Sequence, residues 1–157
     1  MALVHEKLYK SDDFSRVDMK GYITSMVSSL RSSFNGNKNI IIETHVNNLY
    51  LEINTAIPCG LIINETITNA LKHAFINRES GHIDIKFLMQ KPDHTYKLCI
   101  EDNGIGIDET KTGDDTESLG MKLIHILTSQ IGGEVSIESR NGTRICIEFP
   151  LSQDAES

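Results

Sequence analysis

Apolar positions along this chain change period several times, and each change marks an element. From Val17 to Phe34, residues Met19, Tyr22, Ile23, Met26, Val27 and Leu30 recur at the spacing of an amphipathic helix. Asn35-Gly36-Asn37 stops it. Two strand-like runs follow, Asn39–Val46 and Leu49–Ile53, parted by Asn47-Asn48. The longest helical pattern covers about Pro58 to Phe75, with Pro58 suited to a first turn that has no use for its missing N–H. Runs Ile83–Met89 and Tyr96–Glu101 flank Lys91-Pro92-Asp93-His94 as a hairpin. A glycine-rich stretch and an acidic loop then lead to a helix over about Leu119–Ile131, ended by Gly132-Gly133. Strands Glu134–Ser139 and Thr143–Phe149 close around Asn141-Gly142. Ahead of all these, Leu3, Val4, Leu8 and Tyr9 fit a short helix within Ala2–Tyr9, and the tail from Ser152 is polar.

Strand pairs interrupted by single helices predict an α+β fold. Its form is a two-layer α/β sandwich, a mostly antiparallel mixed sheet covered on one face by helices. The 157 residues suit one domain, with a core that needs no staples. A hydrophobic fraction of 39% and a charged fraction of 24% exclude disordered and low-complexity classes. No apolar run nears the ~20 residues of a membrane span, and the N-terminus lacks a signal-peptide pattern, so a cytoplasmic protein is expected. The net charge of -7 argues against nucleic acid as a partner. Most of it has an address: Asp108, Glu109, Asp114, Asp115 and Glu117 against Lys111 contribute -4 within one loop. Cys59, Cys99 and Cys146 are far apart and form no CxxC pair, which predicts reduced core thiols.

Three local patterns carry candidate chemistry. In the long helix, Ile63, Ile67, Ala70, Leu71 and Ala74 make a core stripe, while Glu65, Asn69, Lys72 and His73 make a second one. That second stripe offers a carboxylate, an amide oxygen, an ammonium and an imidazole, a set suited to a hard cation and phosphate oxygens. A solvated helix face is the plainer account of the same residues. Next, a strand delivers Asp102 into Asp102-Asn103-Gly104-Ile105-Gly106, where two glycines let the backbone turn closely around a ligand. Standing alone, it could equally be a turn after an edge strand. Finally, Ser118-Leu119-Gly120-Met121 opens a helix whose free amides can meet phosphate. The Walker and GxGxxG signatures are absent.

Together and in this order, N-x-x-[KH]-H, D-x-G-x-G and a glycine opening a helix resemble the Bergerat ATP-binding fold over Asn39–Leu151. Gyrase-type ATPases, heat-shock protein 90, sensor histidine kinases and anti-sigma-factor kinases share that fold. The resemblance implies ATP and Mg²⁺ as cofactors. Asn69 would coordinate Mg²⁺, and Lys72 and His73 would contact phosphates or ribose. Asp102 would accept the adenine amino proton, Gly104 and Gly106 would shape the adenine pocket, and Thr143 would support the Asp102 water network. Leu119 and Gly120 would meet the phosphates, and Asp108–Glu117 would be the lid. Glu65 stands where ATPases of this fold carry their general base; in a kinase it could instead polarise the acceptor side chain.

The string Ala2-Leu3-Val4-His5-Glu6-Lys7-Leu8-Tyr9 resembles the end of a dimerisation helix in histidine kinases related to the HWE group. On that basis residues 1–16 are a remnant of that helix and its connector. Residues 17–151 are the catalytic domain, and 152–157 are a tail. In that subfamily the phosphate-accepting His lies in a segment resembling HRxKNN, which is missing here, so His5 is not expected to be it. The implied partners are the chain's own dimerisation and acceptor domain and a response-regulator receiver domain. Homodimerisation would belong to the intact kinase, and the fragment could be monomeric. Two other readings compete: a stand-alone anti-sigma-factor serine kinase, and a non-catalytic nucleotide-dependent interaction module. His45, His82, His94 and His125 stand singly and are expected to be surface or core filler.

Overall fold

The structure is a computed structural model, and it describes residues 16–34, 38–90, 94–106 and 119–150. The expected helix within Ala2–Tyr9, the acidic lid Asp108–Glu117 and the tail from Ser152 lie outside the described residues. In chain order the elements are β1 (Arg16–Asp18), α1 (Met19–Ser33), β2 (Asn39–Val46), β3 (Tyr50–Glu52), α2 (Ile53–Asn69), a π-helical turn (Ala70–Ala74), β4 (Ser80–Gln90), β5 (Thr95–Asp102), α3 (Leu119–Gln130), β6 (Glu134–Ser139) and β7 (Thr143–Pro150).

Five strands form one mixed sheet in the order β2-β4-β5-β7-β6. Only β2 and β4 run parallel, because β3 and α2 intervene and supply the long crossover that a parallel pair needs. The other neighbours are antiparallel. Alternate residues of the central strands, Ile83, Ile85, Phe87, Leu98, Ile100, Ile147 and Phe149, are buried. Against them pack Met19, Ile23 and Met26 of α1, Ile62, Ile63 and Ile67 of α2, and Ile124 of α3. Each such side chain removed from water contributes about 1.5–3 kcal/mol, so the helix layer is held chiefly by this one core. Phe87, Tyr96 and Phe149 meet ring to ring within it. The other sheet face is charged, with ion pairs such as Lys97–Glu148 and Arg144–Glu138. The two-layer α+β expectation therefore stands.

Four local expectations do not. The run before the long helix does not form a hairpin with β2; β3 pairs instead with β1 in a separate two-stranded sheet, an element the periodicity did not reveal. Helix α2 begins at Ile53, which places Pro58 in its interior rather than its first turn. Ala56, one turn into the helix, is fully buried. The long helix also changes character after Asn69, where it widens into the π-turn. Finally, Cys99 and Cys146 are joined in a disulfide, not reduced. The β5–β7 register sets them directly opposite each other, a neighbourhood that 47 residues of separation conceal. Cys59 is the free, buried thiol among the described residues.

Candidate nucleotide site

Two groups of side chains converge beside the last turn of α2. In the first, Glu65 and Asn69 project half-buried from α2, one helical turn apart. Gly120, in the first turn of α3, lies so close that a Cβ there would collide with the Glu65 carboxylate and touch the Asn69 amide. The absence of a side chain at Gly120 is thus what lets the α3 N-terminus approach this carboxylate-amide pair. Leu119 beside it is 84% exposed. Lys72 and His73 sit exposed on the π-turn. Such turns are frequent at functional sites because they re-aim side chains that a regular helix would keep in register.

In the second group, Asp102 ends β5 on the helix-facing side, half-buried. The amides of Gly104 and Thr143 both donate to its Oδ1, at 2.9 and 3.3 Å. Burial holds the Asp102 carboxyl above the ordinary aspartate range; the two amide hydrogen bonds and the Arg78 guanidinium pull the other way, and Glu101 adds to the rise. Gly104 packs on Ala74 so tightly that any Cβ would strike the Ala74 carbonyl. Gly106 has a φ of +81°, a conformation side chains rarely adopt. The Ile105 amide donates to the Ala74 carbonyl at 2.8 Å, which ties this loop to the turn carrying Lys72 and His73.

The site residues expected from the sequence therefore lie in two adjoining groups, Glu65-Asn69-Gly120 with Leu119 and Asp102-Gly104-Gly106-Thr143, with Lys72 and His73 exposed on the π-turn between them. Sequence reasoning missed Arg78 and Asn103. Arg78 donates to the Asn103 carbonyl at 2.6 Å, and the Asn103 side chain accepts the His82 amide at 2.8 Å, which pins the glycine loop to β4. Asn103 could have been found from its place between Asp102 and Gly104. Nothing in the sequence singles out Arg78.

The donor set fits ATP with Mg²⁺. A carboxylate anchored through one oxygen suits an exocyclic amine, a Cβ-free cradle admits a flat ring, and an amide oxygen beside a carboxylate suits a hard cation.

Comparison with known proteins agrees with an ATPase domain. The family described as histidine kinase-, DNA gyrase B-, and HSP90-like ATPase matches residues 54–153, and a histidine kinase family, HisKA_2, matches residues 1–34. The blue-light-activated histidine kinase 2 of Erythrobacter litoralis is 28% identical over 134 residues, covering 85% of this chain and 38% of that protein. The sensor histidine kinase/phosphatase LytS of Staphylococcus aureus is 32% identical over 96 residues, 60% of this chain and 13% of that protein. This chain thus spans less than half the length of the curated relatives it matches. Among solved structures, an Erythrobacter litoralis blue-light activated histidine kinase superimposes with a TM-score of 0.79 at 26% identity, covering 90% of this chain and 44% of that one. The Acinetobacter baumannii histidine kinase AdeS, 17% identical, shares the fold with a TM-score of 0.70 over 97% of this chain and 74% of that one. The chain belongs to the histidine kinase-, DNA gyrase B- and HSP90-like ATPase family, as a histidine kinase catalytic domain.

Proposed function

We propose that this domain binds ATP with Mg²⁺ and transfers the γ-phosphoryl group to a histidine upstream of it and outside these 157 residues. From there the group would pass to an aspartate of a response-regulator receiver domain. The observation that carries this reading is the convergence of Glu65, Asn69 and Gly120 with the Asp102 loop across the π-turn.

Asp102 accepts a hydrogen bond from the adenine amine through Oδ2, since Oδ1 already takes two backbone amides. Gly104 and Gly106 let the backbone line the ring, and Thr143 holds Asp102 in place. Lys72 and His73 reach the phosphates or the ribose, and the first amides of α3, at Leu119 and Gly120, point at phosphate oxygens. Asn69 would hold Mg²⁺ through its side-chain oxygen, and that ion would offset charge on the phosphates. The acceptor imidazole attacks the γ-phosphorus with a ring-nitrogen lone pair, and the bond to the β-phosphate oxygen breaks as ADP departs. Glu65 receives a hydrogen bond from the other imidazole N–H, so the ring keeps the tautomer whose lone pair faces phosphorus.

The match of residues 1–34 to a histidine kinase family supports this reading over an anti-sigma-factor serine kinase. No HRxKNN-like segment occurs in the sequence, which supports an acceptor elsewhere. The same reading gives the intact kinase a homodimeric, cytoplasm-facing form with its own dimerisation domain as first partner. The test is transfer from γ-labelled ATP and Mg²⁺ to an added histidine kinase dimerisation domain. Acid-labile label should appear on the added domain and not on this chain, and Asp102→Ala should abolish it. Acid-labile label on this chain alone, or none anywhere while ATP binds, would overturn it.

A further inference from the structure

We infer that the open face of the sheet carries a second cation site, for a zinc-class divalent ion, built from Glu43, His45 and Asp84. It is separate from the nucleotide site, because strand alternation puts these side chains on the sheet face opposite Asp102 and the helices. Glu43 and His45 are alternate residues of β2, and Asp84 lies opposite Glu43 on β4 in the parallel register. One ligand atom from each lies within 4.8 Å of the others.

The separations suit the ligands of a single ion. His45 Nε2 stands 3.1 Å from Asp84 Oδ1 and 3.6 Å from Glu43 Oε2. Two ligand atoms each about 2.0–2.1 Å from a tetrahedral zinc are about 3.3 Å apart, and the two observed separations fall on either side of that. Asp84 Oδ1 is shielded from solvent yet accepts no hydrogen bond, so the short approach of His45 does not satisfy it. A shielded carboxylate oxygen that accepts no hydrogen bond is costly, and a cation where its lone pair and that of Nε2 converge removes the cost. The other Asp84 oxygen faces Lys86 at 3.8 Å, and His82 Nε2 lies 3.9 Å from the second Glu43 oxygen. Partners of that kind orient ligating carboxylates. The exposed Glu43 side chain can swing to close the widest gap. One imidazole and two carboxylates suit zinc or a similar first-row ion better than calcium, which takes oxygen alone.

The experiment is a nucleotide-free titration of the whole chain with Zn²⁺ by calorimetry, and with Co²⁺ by its visible absorption. One ion per chain should bind, with tetrahedral Co²⁺ bands. His45→Ala and Asp84→Asn should each weaken binding by about 100-fold or more, since even partners of ligands are worth 10- to 100-fold. Asn69→Ala should leave this site's affinity unchanged, which separates it from the nucleotide cation. Circular dichroism confirms that each variant is folded. Absence of binding, or binding that survives both substitutions in folded protein, would overturn the inference.

Discussion

At the end of β5, burial holds the Asp102 carboxyl above its ordinary value of 3.8, and this acts in opposite senses on stability and on binding. A raised carboxyl favours the folded state below 3.8, and that contribution is lost as pH rises through the folded value. In the proposed adenine role, Asp102 must be ionised, because a protonated oxygen would meet the adenine amine donor to donor. ATP affinity should therefore fall as pH drops through a midpoint above 3.8, and Asp102→Asn should remove that response, as read by calorimetry. GTP presents a carbonyl where ATP has an amine. An unpaired acceptor costs ~1–3 kcal/mol, so ATP should bind roughly 5- to 150-fold more tightly, and Asp102→Asn should erase the preference. Equal binding of GTP by the unchanged chain would refute the adenine role. Asp102, Gly104 and Asn69 were legible in the sequence because each pattern lies within a few residues. His45 and His82 were not. Read singly they are filler, and only the β2–β4 register sets them among carboxylates.

The α1–α2 contact shows how closely the elements fit. Gly60 lies so near Tyr22 that a Cβ would overlap its ring and hydroxyl. Burial raises the Tyr22 hydroxyl and pushes the neighbouring Cys59 thiol up to about 12, so both stay neutral at physiological pH. Gly60→Ala should destabilise the domain by about 1–3 kcal/mol, the usual cost of overpacking, read as a lowered urea midpoint. An unchanged midpoint would mean that α1 slides freely on α2. Element identity was largely legible: β2 and β6 coincide with their apolar runs, and α1 with its helical spacing. The π-turn was not legible, since Ala70–Ala74 carries ordinary helix formers and its contacts with Gly104 and Ile105 come from a distant part of the chain.

Across the whole molecule, the Cys99–Cys146 bridge closes a loop spanning 47 residues through the two central antiparallel strands. Restricting the unfolded chain over that distance stabilises the fold by at most about 4 kcal/mol. Dithiothreitol should thus lower the denaturation midpoint measurably. A double Cys99→Ala, Cys146→Ala variant should show a similar loss and no further response to reductant. A midpoint indifferent to reductant would remove the bridge from the stability account. By itself, the sequence determined the local periods, the order of helices and strands, and the short motifs of the nucleotide site, because backbone geometry and turn chemistry act within a few residues. The tertiary structure decided which strands lie side by side. It paired β3 with β1, laid β2 parallel to β4, matched Cys99 to Cys146 and gathered Glu43, His45 and Asp84. Register is a global compromise of core burial and chain crossover, and no window of sequence contains it.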